Sequence, residues 1–433
     1  MTDTRIQSIH ARRVWDSRGR PTVEAEVRLA GGALGCAIVP AGASRGSREA
    51  LELRDGGPRF GGYDVQGAIA HVDGEIAQAL AGMPADEQAT IDARLIELDG
   101  TPAKTRLGAN ATLAVSMAAA HAAAAARGLP LYRHLGGDDA TLLPLPQIQI
   151  FGGGAHAGRR VDIQDFMVIC PGATSFAQAL EWSAEVYRCA GELMRARGAL
   201  HGVADEGGWW PDFATNEQAL ETLVQAIERA GFVPGAEVAI ALDIAASEFG
   251  HGGGGGRYTL GLESRALDAD GLIELLLRWL DRFPIVSIED PLAEDDAEGF
   301  VRFTRAAGQR VQIVGDDFLV SHAPLVQAAA AQGAANAVLL KPNQRGTLSE
   351  VQQAWRAAQA AGYAGIVSAR SGETEDTTIV HLAIAWGTGQ LKVGSFARGE
   401  RMAKWNEALR IEQRLGARAR YAGAGVLGRS PGG

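Results

Sequence analysis

Cysteine is scarce in this chain, with only three residues, Cys36, Cys170 and Cys189, among 433. They are scattered and form no C-x-x-C pair, so the sequence suggests neither a thiolate zinc site nor a disulfide framework. An odd number of unpaired thiols is typical of a reducing compartment. The sequence therefore predicts a cytoplasmic protein.

Long hydrophobic runs and basic runs are also missing. The N-terminal segment MTDTRIQSIHARR has no apolar core of the kind that a secretory signal carries. The most lipid-like stretch, residues 109–126, is mostly alanine and includes Asn110 and His121, which indicates a buried helix and not a membrane span. The net charge of −10 is spread along the chain, which argues against a nucleic-acid or membrane-surface partner.

What the sequence does contain is a set of short apolar, β-branched runs that each end in a charged residue. The six charged residues are Asp243, Glu289, Asp316, Lys341, Arg370 and Lys392. Enough chain separates successive runs for one helix and its loops. Because (β/α)8 barrels assemble their active sites at the C-terminal ends of parallel strands, the pattern predicts an α/β barrel with these side chains on one rim.

The first three of these residues indicate a metal site. Three carboxylates on one rim would repel each other unless a divalent cation lay between them, and ligands that are all oxygen favour Mg²⁺. The alternative is that Asp243, Glu289 and Asp316 are solvated loop carboxylates. Their position in consecutive strand-helix units makes that alternative weaker than the metal site.

The chain is too long for one ordinary domain. Period-two alternation over residues 22–29, followed by Gly31-Gly32 and a second strand that ends near Val39, predicts an N-terminal β-meander. Helices are predicted at residues 66–80 and 110–127. We place an α+β capping domain at 1–137, a linker at 138–146 and the barrel at 147–433. The glycine tract 252–256 is predicted to be a flexible loop, with a mobile lid as the alternative.

Twelve stretches of the sequence carry a family resemblance, in an unchanged order. They include DSRGRPTVEAEV, VPAGASRGSREALELRDGG, HAGRRVDIQDFM, ADEGGWWP, PIVSIEDPLAEDD, LLKPNQRGT, SARSGETEDT and GQLKVGSFARGERMAKWNEALRIE. Together they resemble the enolase (phosphopyruvate hydratase) family over nearly the whole chain. The resemblance implies an enolase-type (β/α)8 TIM barrel with an N-terminal α+β capping domain, and a homodimer or higher homo-oligomer. It also implies two Mg²⁺ ions per active site, the second bound with the help of substrate.

The resemblance also implies a role for each matching residue. Asp243, Glu289 and Asp316 match the ligands of the first Mg²⁺, and Ser44 matches a ligand of the second. Lys341 matches the base that removes the C2 proton of 2-phosphoglycerate, Lys392 the lysine that holds the substrate carboxylate, and Glu206 the acid that helps the C3 hydroxyl leave. Arg370 and Ser371 match phosphate binders, while His156 and Gln164 line the substrate side. A lysine acts as a base only when neutral, and nearby positive charge lowers its pKa.

The chain departs from the family pattern at two positions. Ala369 stands where the family has histidine, and Asp165 stands where it has glutamate. The shorter Asp165 carboxylate is drawn back by about one bond, and a misplacement of about 1 Å can reduce a rate roughly 10²-fold. Metal binding and proton abstraction could survive while the leaving-group end of the site is rebuilt.

Added arginines lie in the loops expected around the site. They are Arg45 and Arg48 near Ser44, Arg159 and Arg160 after His156, and Arg345 after Lys341. Arginine suits bidentate recognition of phosphate or carboxylate, so Arg45, Arg159 and Arg160 are candidate binders of a larger or more anionic ligand. The alternative is neutral drift in an arginine-rich chain. Trp209-Trp210 could be core packing or an aromatic wall for a base.

Three functions are compatible with these residues. The first is a specialised paralogue in phosphonate or phosphinate natural-product biosynthesis, which forms carboxyphosphonoenolpyruvate from 2-phosphoglycerate and a nucleotide-activated phosphonoformate. The second is ordinary phosphopyruvate hydratase, which converts 2-phosphoglycerate to phosphoenolpyruvate. The third is a non-catalytic binding scaffold, although a scaffold would not need both lysines, Glu206 and the metal ligands. The expected ligands are a small phosphorylated carboxylate and, for the first function, a nucleotide-phosphonate.

Overall fold

The computed structural model of the protein describes residues 3–253 and 255–427. Gly254, in the predicted glycine loop, lies outside the described residues. On the near side of that gap, the Gly252 N–H donates to Oδ1 of Asp295 at 2.6 Å.

An antiparallel sheet and a group of helices form the N-terminal part. The sheet has the order β1-β2-β3, with β1 at Ile6–Trp15, β2 at Pro21–Leu29 and β3 at Leu34–Ile38. The helices are α1 Gln66–His71, α2 Ala77–Leu80, α3 Gln88–Asp99, α4 Ala109–Ala126 and α5 Leu131–Gly136. The predicted β-meander is thereby confirmed, and the predicted helix at 66–80 is α1 and α2 joined by a π-helical turn at Val72–Ile76.

Burial explains the alternating pattern of β2 and the composition of α4. Val23, Ala25 and Val27 point into the N-terminal core and are fully buried, and α4 packs against β2 and β3. A Cβ at Gly35 would lie 2.1 Å from the backbone nitrogen of Ala122, so glycine and alanine permit this close approach. Within residues 3–253 and 255–427, no helix combines the length and hydropathy needed to cross a membrane.

A closed barrel of eight strands forms the rest of the described chain, in the order β11-β12-β13-β14-β15-β5-β6-β7. The strands of this part are β4 Leu142–Leu143, β5 Leu145–Gly152, β6 Asp165–Ile169, β7 Ala239–Asp243, β8 Gly250–His251, β9 Arg257–Leu260, β10 Arg265–Leu267, β11 Ile285–Glu289, β12 Gln312–Gly315, β13 Ala337–Leu340, β14 Ala364–Ser368, β15 Gln390–Gly394 and β16 Arg420–Tyr421. The first barrel strand, β5, thus begins inside the segment predicted to be a linker.

Eight helices accompany the barrel strands. They are α6 Phe176–Ala196, α7 Asn216–Arg229, α8 Ala269–Arg282, α9 Ala297–Ala307, α10 Ala323–Gln332, α11 Leu348–Ala360, α12 Thr378–Trp386 and α13 Gly399–Leu415. One helix separates each successive pair of strands from β11 to β15, as the spacing of the charged residues predicts. The predicted fold class, an enolase-type barrel with an N-terminal α+β cap, is confirmed.

One barrel strand runs against the expected direction. β6 is antiparallel to both of its neighbours, β5 and β7, whereas the pairs from β7 through β11 to β15 are parallel. Asp165, the first residue of β6, is therefore paired with Asp243, the last residue of β7. The reversal brings the N-terminal end of β6 to the rim that carries the C-terminal ends of the parallel strands.

Candidate active site

The structure brings the six predicted charged residues to one rim of the barrel. Asp243 and Glu289 are the last residues of β7 and β11. Asp316 and Lys341 directly follow β12 and β13, and Arg370 follows β14 by two residues. Lys392 differs from the expectation because it is the third residue of β15 and not its end. Its long side chain still reaches the carboxylates of the rim.

Lys392 pairs with three carboxylates at once. Its Nζ lies 2.8 Å from Oδ2 of Asp243, 2.9 Å from Oε2 of Glu289 and 3.3 Å from Oδ2 of Asp165. Burial alone would lower the pKa of Lys392, but the surrounding carboxylates, Asp243 first, outweigh it and raise that pKa well above its usual value. Lys392 is therefore a fixed positive charge, suited to holding an anionic substrate group.

Lys341 and Asp316 form a second buried ion pair. Oδ1 of Asp316 also accepts a hydrogen bond from Nε2 of Gln344 at 2.8 Å. Burial alone would lower the pKa of Lys341, yet the charge of Asp316 outweighs it and raises that pKa. Lys341 is thus protonated while Asp316 is its partner.

Two further acidic residues lie beside Asp316. Carboxylate oxygens of Asp290, Asp316 and Asp317 lie within 4.8 Å of one another and all three residues are buried. Asp290 accepts the backbone N–H groups of Asp316 and Asp317 at 2.9 and 2.8 Å. Burial, followed by the charge of Asp316, raises the pKa of Asp290 well above its usual value.

The donor set of this rim fits Mg²⁺. Asp243, Glu289 and Asp316 offer only carboxylate oxygen, the ligand type that Mg²⁺ prefers, and each is at most 4% exposed. Burial, followed by the charge of Asp243, raises the pKa of Glu289 well above its usual value, so a cation there would relieve unfavourable negative charge. The three are not grouped as tightly as Asp290, Asp316 and Asp317, because Asp243 and Glu289 share Lys392 while Asp316 pairs with Lys341.

Asp165, His156 and Glu206 form a carboxylate-imidazole-carboxylate chain beside Lys392. Nδ1 of His156 lies 3.0 Å from Oδ1 of Asp165, and Nε2 of His156 lies 3.8 Å from Oε1 of Glu206. Burial alone would lower the pKa of His156, but Glu206 and Asp165 outweigh it and raise that pKa. Because all three residues are buried, this chain can hold a proton between its two carboxylates.

The predicted phosphate binders lie under the loop that carries Ser44. Arg370 donates to the backbone oxygen of Ser44 at 2.8 Å and pairs with Glu49 at 3.0 Å. The backbone N–H of Ala43 donates to Oγ of Ser371 at 2.7 Å. A Cβ at Gly42 would lie 2.0 Å from the Arg370 guanidinium, so this loop can approach the arginine closely only because position 42 is glycine.

These groups line one small cavity. Predicted site residues that line it are Ser44, His156, Gln164, Glu206, Asp243, Lys341, Arg370, Ser371 and Lys392. Ala369, at the position where the resemblance implies a histidine, also lines the cavity. Gln164 donates to Oδ2 of Asp243 at 3.0 Å, which links the substrate side to the carboxylate rim.

The added arginines do not line this cavity. Arg159 pairs with Glu248 at 2.8 Å, Arg160 pairs with Asp212, and the Arg45 guanidinium lies 3.9 to 4.0 Å from Glu52 and Glu49. Arg48 donates to the backbone oxygen of Phe318 at 2.8 Å, and Arg345 lies 3.5 Å from Glu350. Each guanidinium already has an acceptor outside the cavity, so substrate binding by Arg45, Arg159 and Arg160 stays a prediction without geometric support.

The contacts of Trp209 favour core packing over an aromatic wall for a base. Its ring stacks on Tyr187 with a centroid distance of 4.5 Å, and its Nε1 donates to the backbone oxygen of Tyr187 at 2.8 Å.

Sequence reasoning missed several polar residues of this site. Gln149, Gln344 and Glu49 are buried and bonded to Asp165, Asp316 and Arg370 respectively. A usable signal was the composition of the basic residues: the chain has only four lysines, Lys104, Lys341, Lys392 and Lys404, and all four are buried. A chain that uses arginine for its surface charge retains lysine only in its interior.

Comparison with known families agrees with this geometry. The model of the N-terminal domain of enolase matches residues 6–135, and the model of the C-terminal TIM barrel domain of enolase matches residues 140–429. The chain belongs to the enolase family. It is accordingly a metal-binding enzyme of the lyase type, and the buried carboxylates described above provide the oxygen ligands that an enolase-family metal site needs.

Proposed function

We propose that this enolase-family protein removes the C2 proton of 2-phosphoglycerate and expels the C3 hydroxyl group as water, which yields phosphoenolpyruvate. The observation that carries the proposal is the placement of Lys341 and Glu206 in the lining of one cavity together with Lys392 and Arg370. These are a base, an acid, a carboxylate anchor and a phosphate anchor. The cavity lining is mostly charged and polar, which suits a small phosphorylated acid.

The protein residues have distinct tasks in this reaction. Lys392 fixes the substrate carboxylate, and Arg370 with Ser371 binds the phosphate, so that C2 faces Lys341. Nζ of Lys341, once neutral, accepts the C2 proton. Glu206, supported by His156, donates a proton to the departing C3 oxygen. The C3–O bond breaks, the electron pair of the former C2–H bond forms the double bond, and water leaves.

Asp243, Glu289 and Asp316 would hold the first Mg²⁺, and Ser44 would contribute to a second that binds with substrate. Mg²⁺ held there would supply positive charge beside the substrate carboxylate and beside the Lys341–Asp316 pair, and this charge would favour the dianionic carboxylate and the neutral form of Lys341. Enolase-superfamily enzymes use a lysine or histidine base with one or two Mg²⁺ ions in this way.

A second candidate is the specialised paralogue that forms carboxyphosphonoenolpyruvate with a nucleotide-activated phosphonoformate. The observation that favours it is Ala369 in the cavity lining, because the missing imidazole leaves room and removes a group near the phosphate. Arg45, Arg159 and Arg160 give this second candidate no support, because each lies near an acidic residue outside the cavity. A binding scaffold is disfavoured because Lys341 and Lys392 keep costly buried charges in the lining of the cavity itself.

The first test is phosphoenolpyruvate formation from 2-phosphoglycerate and Mg²⁺, followed by ultraviolet absorbance. Turnover near the enzyme median of about 10 s⁻¹ would support the hydratase reaction despite Ala369 and Asp165. Turnover orders of magnitude lower would contradict it as the main activity. Addition of nucleotide-activated phosphonoformate, with ³¹P NMR of the products, then decides the second candidate.

We also propose that the protein is a homodimer, as the family resemblance implies. Large apolar side chains on the N-terminal part support an association surface there, since Trp15 is 50% exposed and Phe60 and Tyr63 are 38% and 39% exposed. Sedimentation velocity would give the mass in solution, and a monomer over the working concentration range would contradict the proposal.

A further inference from the structure

Asp165 is held by two donors and one cation, and one of these partners is not part of any predicted site. Oδ1 of Asp165 accepts hydrogen bonds from Nδ1 of His156 and from Nε2 of Gln149. Oδ2 accepts no hydrogen bond from the described residues and lies 3.3 Å from Nζ of Lys392. Gln149 is therefore one of three groups, with His156 and Lys392, that orient the Asp165 carboxylate.

The amide of Gln149 has a defined orientation. Its Oε1 accepts the backbone N–H of Gly208 at 2.8 Å, and a backbone N–H can only donate. Nε2 must then face Asp165. Since Gly208 lies two residues beyond Glu206, a single buried side chain bridges the Asp165 carboxylate and the loop of the proposed acid.

The surrounding backbone is built around this side chain. Gln149 lies on β5 and is 1% exposed. A Cβ at Gly208 would lie 2.5 Å from Oε1 of Gln149, and a Cβ at Gly152 would lie 3.1 Å from the same atom. The loop is also paired with β5, because the N–H of Trp209 donates to the backbone oxygen of Ile150 at 2.8 Å.

We infer that Gln149 is a positioning residue of the active site, which fixes the Asp165 carboxylate for His156 and ties it to the loop that carries Glu206. The inference rests on the proposed function, because it gives Gln149 a part in the leaving-group half of that reaction. Gln149 acts through Asp165 and Gly208 and does not line the cavity itself.

The lengths of the two side chains are complementary. Asp165 is one methylene shorter than the glutamate of the family pattern, and glutamine is the longer of the two side-chain amides. Asn at 149 with Glu at 165 would restore the same number of bonds between β5 and β6. Gln149→Asn alone would leave a gap between the two side chains, and Asp165→Glu alone would make them overlap. The double change would preserve the distance that the two side chains bridge between β5 and β6.

The decisive experiment compares Gln149→Asn, Asp165→Glu and the double variant in steady-state turnover of 2-phosphoglycerate. A misplacement of about 1 Å can reduce a rate roughly 10²-fold, so we expect each single variant to lose at least about tenfold in kcat with little change in KM. The double variant should recover most of the loss. Unchanged kcat in Gln149→Asn, or a double variant no better than the poorer single one, would overturn the inference.

A matched control is available on the same strand. Gln147 is also 1% exposed, and its amide donates to Oε1 of Gln390 at 3.1 Å in the barrel interior, away from the cavity lining. Gln147→Asn should lower the melting temperature about as much as Gln149→Asn but leave kcat nearly unchanged. An equal loss of kcat in Gln147→Asn would mean that Gln149 has only a structural role.

A second readout does not depend on turnover. In protein labelled with ¹⁵N-histidine, the Nδ1–H signal of His156 reports whether Asp165 still accepts its hydrogen bond, and His156→Gln assigns that signal. Gln149→Asn should shift or broaden it and the double variant should restore it; an unchanged signal overturns the inference. If the unmodified protein fails to dehydrate 2-phosphoglycerate, the proposed function fails, and this spectrum alone decides the role of Gln149.

Discussion

Nζ of Lys392 lies 2.8 Å from Oδ2 of Asp243, and both side chains are buried. The same ammonium group lies 2.9 Å from Glu289 and 3.3 Å from Asp165. The Lys392 charge therefore joins two carboxylates of the proposed metal site, Asp243 and Glu289, to the carboxylate of Asp165. A divalent cation and Lys392 must share this negative charge, which couples metal binding to the stability of the rim.

Replacement of Lys392 by methionine tests this coupling. Loss of one partner from a buried ion pair typically costs about 3–5 kcal/mol because the other charge is left uncompensated. We expect Lys392→Met to lower the melting temperature in metal-free buffer, and Mg²⁺ to raise it more than in the unmodified protein. Thermal unfolding with and without Mg²⁺ measures both effects.

Lys104 provides the control for that experiment. It is a buried lysine whose Nζ lies 2.9 Å from Oε1 of Glu350, outside the rim. Lys104→Met should also lower the melting temperature, but Mg²⁺ should not compensate for it. Equal Mg²⁺ responses in Lys392→Met and Lys104→Met would contradict a metal site at Asp243 and Glu289.

Lys341→Arg separates the charge of Lys341 from its function as a base. Arginine can pair with Asp316 but does not deprotonate in proteins, and a positioned general base contributes about 10²–10⁴-fold to a rate. We expect exchange of the C2 proton of 2-phosphoglycerate with solvent deuterium, followed by ¹H NMR, to fall by that order in the variant. Lys104→Arg should retain exchange, and persistent exchange in Lys341→Arg would exclude Lys341 as the base.

The buried His381 should make the stability of the protein depend on pH, and this effect is independent of catalysis. Burial, followed by the charge of His121, lowers the pKa of His381 from 6.5 to about 4, so the folded state keeps the imidazole neutral while the unfolded state takes up a proton. Below pH 6.5 the unfolded state binds more protons, and its stabilisation makes the folded protein progressively less stable as the pH falls to about 4. The loss attributable to His381 is at most about 3 kcal/mol, since one pKa unit corresponds to about 1.4 kcal/mol.

Urea unfolding between pH 4 and pH 7 measures this slope. His381→Gln should flatten it, because the group that takes up the proton on unfolding is gone. His10→Gln, at an exposed histidine on β1, should leave the slope unchanged. An identical slope in His381→Gln and the unmodified protein would contradict the assignment.

The rim of the barrel was predictable from the sequence because its signal is local. An apolar run followed by a charged residue marks the end of a buried strand, and Asp243 and Glu289 are indeed the last residues of β7 and β11. The direction of β6 was not predictable in this way, because its charged residue, Asp165, comes at the start of the apolar run and not at its end. Its reversal, which brings Asp165 to the rim, depends on the loop that joins β5 to β6.

The roles of the arginines and of Gln149 depend on partners far away in the sequence. Arg159 reaches Glu248 and Arg160 reaches Asp212, so residue type alone did not reveal that these guanidinium groups are engaged. Gln149 stands in the apolar segment of β5 and resembles Gln147 two residues earlier. Only the fold shows that one amide meets Asp165 and the other meets Gln390.

Reconstruction of the family pattern is the strongest test of the altered leaving-group end. Glutamate at 165 competes with Gln149 for space, so we expect Ala369→His with Asp165→Glu to raise 2-phosphoglycerate dehydration only when Gln149→Asn is also present. The histidine restores an imidazole in the cavity lining, and the other two changes together keep the span between β5 and β6. The measurement is kcat/KM relative to the Gln149→Asn/Asp165→Glu protein. Ala369→Leu in the same background fills the space without an imidazole, and an equal gain with leucine would show that volume, and not proton transfer, limits the reaction.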